Sequence, residues 1–158
     1  MKEEGNNILL IGIGNSGRQD DGLGWAFLDH LKPELPNNFD CEYRYQLQIE
    51  DAEMISHYQK VFFIDADKTP KTKGFTIQKC FPKETHHFSS HALPPETILY
   101  LASSVYSKNP ESFIVGISGE SYELKIGLTK TAKSNLNKAL TSFKNNFLTV
   151  SREANKTL

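Results

Sequence analysis

The sequence has little of what several large classes of protein depend on. Its 158 residues include only two cysteines, Cys41 and Cys80, and no C-x-x-C pair, which excludes a disulfide framework and a zinc ribbon. Its longest apolar runs, residues 8–13 and 61–64, fall far short of the roughly 20 residues that cross a bilayer, so we expect no membrane partner. Basic and acidic residues nearly cancel, 18 against 19, without a basic stripe, so we expect no nucleic-acid partner.

Internal repeats, low-complexity tracts and long Gly/Ser linkers are also missing, which predicts one domain over residues 1–158. The ends, 1–6 and 151–158, are polar and are expected to fray. Residues 1–7 carry acids and no apolar signal core, so export is not expected and the predicted compartment is the cytoplasm. The net charge of -1 leaves the oligomeric state unknown.

Hydrophobic patterning indicates an α/β domain with a largely parallel sheet of about five strands. Residues 8–13 and 61–64 predict strands buried on both faces, and residues 41–47 alternate like a third strand. Helices are predicted at 21–32, with Leu23, Ala26, Phe27, His30 and Leu31 on one stripe, and after Asp51 as a cap, with Met54, Ile55 and Tyr58.

The second half continues the alternation of strands and helices. Residues 74–80 and 112–117 predict strands, and the cysteines are expected to be small apolar residues within strands. A helix is predicted from Pro94 and Pro95, carrying Ile98, Leu101, Ala102 and Val105. The last helix is predicted from Thr129 as cap to about Phe147.

The loop after the first strand, Gly12-Ile13-Gly14-Asn15-Ser16-Gly17, fits the glycine pattern of dinucleotide-binding sites. However, residues 18–22 delay the helix and put Asp20 and Asp21 where phosphates would bind, and like charges repel. Dinucleotide or small-ligand binding through Gly12, Gly14 and Gly17 therefore stays as the alternative function. A helix cap is the simplest role for one of the two aspartates, and the glycines are expected to allow close backbone approach.

Carboxylates and an imidazole are predicted to meet at one edge of the sheet. Asp21 follows the first strand and Asp65 ends the third, and the carboxyl ends of neighbouring parallel strands open on the same crevice. His91 stands just before the Pro94 helix, whereas His86 and His87 lack a ligand pattern and are interpreted as solvated. Two carboxylates and one imidazole suit zinc, nickel or another borderline divalent ion, with a position left for water or substrate.

These stretches together make the chain resemble the hydrogenase maturation endopeptidases. The resemblance rests mainly on residues 9–15 (LLIGIGN), 20–24 (DDGLG), 61–66 (VFFIDA) and 90–93 (SHAL), with weaker similarity in 114–117 and 127–129. It departs at Ser118-Gly119-Glu120, where a polar residue and a proline are common, and at Trp25, which is bulkier than usual.

The resemblance implies a three-layer α/β/α sandwich and a cytoplasmic peptidase. Such an enzyme removes a C-terminal extension from the nickel-loaded large-subunit precursor of a nickel-iron hydrogenase. Asp21, Asp65 and His91 would contact the metal, which the precursor carries, although zinc could occupy the site in vitro. Asp20 is a weak candidate for a general base, and a scaffold that docks the precursor without cutting it is a further alternative.

Overall fold

A computed structural model describes residues 7–84 and 92–148 of the chain. These residues form a five-stranded sheet with helices on both faces, as the α/β prediction requires. In chain order the elements are β1 (Ile8–Ile13), α1 (Leu23–Leu31), β2 (Phe39–Arg44), α2 (Glu50–Ile55), β3 (Lys60–Asp67), β4 (Phe75–Cys80), α3 (Pro95–Tyr106), β5 (Glu111–Ser118) and α4 (Lys130–Phe143).

The strand order is β2-β1-β3-β5-β4, and only β4 runs antiparallel, at one edge. The predicted neighbourhood of the first and third strands is confirmed, because β1 and β3 pair in parallel from Ile8 with Lys60 to Gly12 with Ile64. Both strands therefore end at the same edge of the sheet.

The two sheet faces bury different side chains of the same strands, because successive residues of a strand point to opposite faces. Leu10 and Phe62 belong to the core under α1 and α4, while Leu9 and Phe63 belong to the core under α2 and α3. A strand with both faces covered reads as a continuous apolar run, which is why β1 and β3 are evident in the sequence. This arrangement confirms the three-layer expectation.

Helix ends and faces differ in detail from the predictions. The first helix is preceded by a 3-10 segment, Ser16–Gly22, so α1 begins only at Leu23. His30, predicted on the apolar stripe, is exposed, and Leu28 is buried instead. Val105, predicted inside the α3 core face, is 63% exposed, whereas Leu99 is buried. In both helices the apolar positions were compatible with more than one phase of the helical stripe, and packing on the sheet selects one.

The second strand and second helix were also displaced in the prediction. The predicted strand 41–47 ends at Arg44, and Tyr45 is 70% exposed. Asp51 is the second residue of α2 rather than its cap. Its carboxylate accepts hydrogen bonds from the Gln48 amide, 2.9 Å, and from Arg44 Nε, 3.1 Å, so it holds the chain before α2 against the end of β2.

The last helix confirms its predicted cap. The Thr129 hydroxyl accepts a hydrogen bond from the Ala132 amide, 3.2 Å, and α4 ends at Phe143, followed by a π-helical turn over Lys144–Leu148. The cysteines are free and lie in strands, Cys41 half-buried in β2 and Cys80 buried in β4, as predicted. No described helix is long and apolar enough to cross a membrane.

Candidate functional site

The two carboxylates predicted to converge lie at adjoining strand ends. Asp65 is the sixth residue of β3 and follows Ile64, the last residue of β3 that pairs with β1. Asp21 lies in the 3-10 segment that follows β1, and its carbonyl oxygen accepts a hydrogen bond from the Asn15 amide, 3.1 Å. Both side chains are partly buried, and both stand at the carboxyl edge of the sheet.

Two glycines allow the chain to come close enough for this arrangement. Gly14 has φ +140°, and a Cβ there would lie 1.9 Å from the Asp21 carbonyl oxygen. A Cβ at Gly24 would lie 2.5 Å from the Ile64 carbonyl oxygen and 2.6 Å from that of Ile13. Glycine at these two positions therefore lets α1 and its preceding turn sit directly on the ends of β1 and β3.

The electrostatics of Asp21 and Asp65 favour the binding of a cation. Burial raises the pKa of Asp65 to about 7, the Ala66 amide opposes this by donating a hydrogen bond, and the charges of Asp21 and Asp67 add to the rise. Among the described residues, neither Asp21 nor Asp65 forms an ion pair, whereas Asp67 lies 3.6 Å from Lys71 Nζ. A cation placed between Asp21 and Asp65 would relieve their repulsion.

Tyr122 lies near the same carboxylates, although nothing in the sequence pattern marked it. Its hydroxyl donates to the Asp67 carbonyl oxygen, 3.4 Å, and Lys68 Nζ lies 5.1 Å from its ring centroid. Burial raises the pKa of Tyr122, and the charges of Asp20, Asp21 and Asp67 contribute to the rise. The Tyr122 phenol therefore stays protonated beside the carboxylates.

Asp20 is fully buried and anchors a distant segment. Its carboxylate accepts four hydrogen bonds: from the amides of Glu120, 2.7 Å, Ser121, 3.1 Å, and Thr129, 2.9 Å, and from the Thr129 hydroxyl, 2.7 Å. Burial raises the pKa of Asp20, but the hydrogen bonds from Thr129, Glu120 and Ser121 outweigh it and hold the pKa below its usual value. A carboxylate stabilised in this way is a poor proton acceptor.

Gln19 completes the same anchor at the cost of a strained backbone. It has φ +50° and ψ −115°, a region that non-glycine residues rarely occupy, and it is buried. Its backbone amide donates a hydrogen bond to the Lys125 carbonyl oxygen, 2.9 Å. Its side-chain oxygen accepts hydrogen bonds from the Ser121 hydroxyl, 2.6 Å, and from the Glu123 backbone amide, 3.2 Å. Sequence reasoning missed this residue, because no spacing rule marks a buried glutamine in a turn.

The remaining predicted ligand, His91, lies outside the described residues, as do His86 and His87. Within residues 7–84 and 92–148, no group of three or more His, Cys, Asp or Glu side chains is placed to hold a metal. The structure thus places Asp21 and Asp65 at the same edge of the sheet and surrounds the Asp20 carboxylate with four hydrogen-bond donors.

The space around the glycines of residues 12–17 is filled by other parts of the chain. In dinucleotide sites the glycines make room for a pyrophosphate at a helix N-terminus. Here the space at Gly14 is taken by Asp21, and a Cβ at Gly12 would lie 2.7 Å from the Gly24 carbonyl oxygen. The Asn15 side chain accepts from the Gly17 amide, 2.9 Å. These contacts speak against dinucleotide binding.

Both departures from the family pattern have a structural explanation. Trp25 Nε1 donates to the Arg44 carbonyl oxygen, 3.1 Å, and its ring packs against Tyr43 and Tyr45, so it covers the end of β2. Gly119 lies where a Cβ would come within 2.5 Å of the Tyr122 hydroxyl and 2.7 Å of Asp20 Cβ. The residue after β5 must therefore be small.

Comparisons with known proteins give the fold an independent reference. The sequence matches no protein-family model and no curated protein. Among solved structures, the hydrogenase maturating endopeptidase HybD from E. coli superposes with a TM-score of 0.71 at 23% identity, over 94% of this chain and 93% of that one. The [NiFe] hydrogenase maturation protease HycI from Thermococcus kodakarensis KOD1 has a TM-score of 0.69 at 18% identity, over 89% and 91%.

A third structure, the hydrogenase 2 maturation peptidase from Thaumarchaeota archaeon SCGC_AB-539-E09, has a TM-score of 0.63 at 18% identity, over 88% of this chain and 96% of that one. The chain therefore has the fold of solved hydrogenase maturation proteases over nearly its whole length, as the resemblance in sequence implied.

Proposed function

We propose that this chain is an endopeptidase that removes a C-terminal extension from the nickel-loaded large-subunit precursor of a nickel-iron hydrogenase. The observation that carries the proposal is the pairing of Asp21 and Asp65 at adjoining strand ends, within a fold shared with proteins named as such proteases. The sequence stretches that resemble that family include both aspartates.

The donor chemistry fits a divalent ion. Asp21 and Asp65 supply two carboxylates without a cationic partner among the described residues. Burial is the main cause of the raised pKa of Asp65 and the charge of Asp21 adds to it, and a bound cation would offset both effects. With the imidazole of His91 as third donor, the set suits nickel or zinc. The nickel belongs to the substrate, where a bound divalent ion polarises a carbonyl or a water.

The chain's own residues would recognise and orient this substrate. Asp21 and Asp65 bind the loaded centre, so a precursor without nickel lacks its main point of attachment. Gly14 and Gly24 keep the two carboxylates at one position by seating α1 directly on the strand ends. Asp20, with four hydrogen-bond donors around it, fixes the turn that carries Asp21.

Conservative substitutions in a cleavage assay test the proposed residues. Purified nickel-loaded precursor is incubated with wild type, Asp21→Asn, Asp65→Asn or His91→Ala, and shortening is followed by electrophoresis and mass. Asp29→Asn serves as the matched control, because Asp29 is an exposed aspartate of α1 whose carboxylate accepts a hydrogen bond from the Tyr43 hydroxyl. We expect the three site variants to lose at least about 100-fold in rate and the control to cut normally.

Variants that cut as fast as wild type would show that the proposed ligands are wrong. Retained binding of precursor by a wild type that never cuts it would favour a scaffold. A rise in melting temperature with NAD or FAD, but not with nickel or zinc, would favour the dinucleotide alternative, since a ligand stabilises the state that it binds.

A further inference from the structure

The segment between β5 and α4, residues 119–129, is here called the anchored loop. Two aliphatic side chains at its tip are almost entirely in water, Leu124 at 79% exposure and Ile126 at 88%. Every other large apolar side chain that the structure describes is less exposed, with Tyr45 next at 70%. Exposed aliphatic pairs of this kind contribute nothing to the core, and clustered apolar exposure commonly marks a binding surface.

The backbone on both sides of Leu124 is fixed. The Glu123 amide donates to the Gln19 side chain, 3.2 Å, and the Lys125 carbonyl oxygen accepts from the Gln19 amide, 2.9 Å. The start of the loop is held by Asp20 through the amides of Glu120 and Ser121. These hydrogen bonds restrain the backbone of the loop, so binding through its tip would cost little ordering entropy.

The anchor ties this surface to the candidate site. Gln19 and Asp20 directly precede Asp21 in the chain, and Tyr122 of the same loop contacts the carbonyl oxygen of Asp67, two residues after Asp65. Gln19 adopts its strained backbone conformation to reach the loop. A strained, buried anchor that joins an exposed apolar tip to the site residues indicates a surface that acts together with that site.

We propose that Leu124 and Ile126 dock an apolar patch on the folded protein substrate, and so position the segment to be cut against Asp21 and Asp65. This inference rests on the proposed peptidase function. A folded protein fits better than a membrane surface, because the loop carries Glu120 and Glu123 against the single cation Lys125, whereas segments that bind anionic lipid are rich in Lys and Arg.

The test compares Leu124→Ser/Ile126→Ser with wild type and with Val105→Ser. Val105 is a matched control, since it is an aliphatic residue of 63% exposure near the C-terminal end of α3, which leads to the opposite edge of the sheet. Initial rates of cleavage are measured over a range of nickel-loaded precursor concentrations. Melting temperatures of all three proteins should agree, because exposed substitutions seldom change stability by more than about 0.5 kcal/mol.

We expect the double variant to raise KM at least about tenfold with kcat within about twofold of wild type, because loss of buried aliphatic surface weakens binding and leaves the reacting groups in place. Val105→Ser should match wild type in both constants. Equal KM values for wild type and double variant would overturn the docking proposal and leave the peptidase function standing.

Two further outcomes would also overturn it. In the first, sedimentation equilibrium shows that the wild type is a dimer and the double variant a monomer, while their KM values are equal. Leu124 and Ile126 would then contact a second copy of the chain. The other is cosedimentation of wild type, but not of the variant, with phosphatidylglycerol vesicles, with KM unchanged. A wild type that neither binds nor cuts the precursor would overturn the docking proposal and the proposed function together, whereas binding that depends on the tip without cutting would overturn only the function.

Discussion

Removal of the Asp20 carboxylate should destabilise the fold, in proportion to the hydrogen bonds that are lost. In Asp20→Ala the amides of Glu120, Ser121 and Thr129 and the Thr129 hydroxyl all lose their acceptor. A hydrogen bond to a charged group contributes about 1.5–3 kcal/mol. Water that enters the space left by the carboxylate can replace part of the lost hydrogen bonding, so we expect a total loss of about 3–5 kcal/mol, or about 10 °C in melting temperature.

Asp20→Asn should fall between wild type and Asp20→Ala. Three of the four donors point at Oδ2, so an amide oxygen placed there keeps three bonds and loses only the one from the Thr129 amide. The expected cost is about 1–3 kcal/mol. Glu120→Ala is the control, since the Glu120 side chain is exposed and the backbone amide that donates to Asp20 is kept in the variant.

The assay is urea unfolding at a series of pH values. Because the pKa of Asp20 is lowered in the folded state, its stabilisation is complete above 3.8, the usual value, and is lost as pH falls through the folded pKa. The difference in the free energy of unfolding between wild type and Asp20→Asn should therefore be constant from neutral pH down to about 5, and should become smaller below the usual pKa of an aspartate. A melting temperature for Asp20→Ala within about 2 °C of wild type would refute the anchor.

The same variant separates an anchor from a general base. Loss of a general base costs about 10²–10⁴ in rate. If Asp20 only fixes the turn, folded Asp20→Asn assayed well below its melting temperature should keep cleavage within about tenfold of wild type. A larger loss in fully folded protein would return Asp20 to the list of reacting groups.

Three other predictions follow from the site. Burial, with the charges of Asp21 and Asp67, raises the pKa of Asp65 to about 7. The folded chain therefore binds a proton at the Asp65 carboxylate more tightly than the unfolded chain does. As a result, the contribution of Asp65 to the free energy of unfolding falls as pH rises toward 7. In EDTA, Asp65→Asn should therefore be more stable than wild type at pH 8, by up to about 4 kcal/mol, and this difference in the free energy of unfolding should be smaller at pH 5. Equal midpoints of urea unfolding at pH 8 would contradict this prediction. Nickel or zinc at pH 8 should raise the melting temperature of wild type but not of Asp65→Asn. At pH 6 the increase for wild type should be smaller, because protons compete with the metal for the carboxylates. Identical increases in both proteins would show that the metal binds elsewhere. Gly24→Ala should cost about 2–4 kcal/mol in urea unfolding, because its Cβ meets two strand carbonyl oxygens, and a neutral result would show that α1 can move away freely.

The sheet could be predicted from the sequence because β1 and β3 are buried on both faces and appear as unbroken apolar runs ending at glycine and aspartate. The convergence of Asp21 and Asp65 followed from the same fact, since neighbouring parallel strands end at one edge. Both inferences depend on local patterns whose consequence is fixed by sheet geometry.

The anchor could not be predicted in the same way. Asp20 and Gln19 bind residues about a hundred positions away, and no local periodicity records such a pairing. The prediction of His30 on the apolar stripe is wrong for a related reason, since packing on the sheet decides which phase of a short helix faces inward. Positions whose function depends on long-range hydrogen bonds or on packing remain open until the fold is known.

The most direct test of the proposed function is the intact mass of a purified hydrogenase large-subunit precursor after incubation with the wild-type chain. Two precursor samples, one loaded with nickel and one free of it, are treated in parallel. The account predicts that only the nickel-loaded sample loses a C-terminal segment, as one discrete decrease in mass. Unchanged masses in both samples, or equal shortening of both, would contradict it.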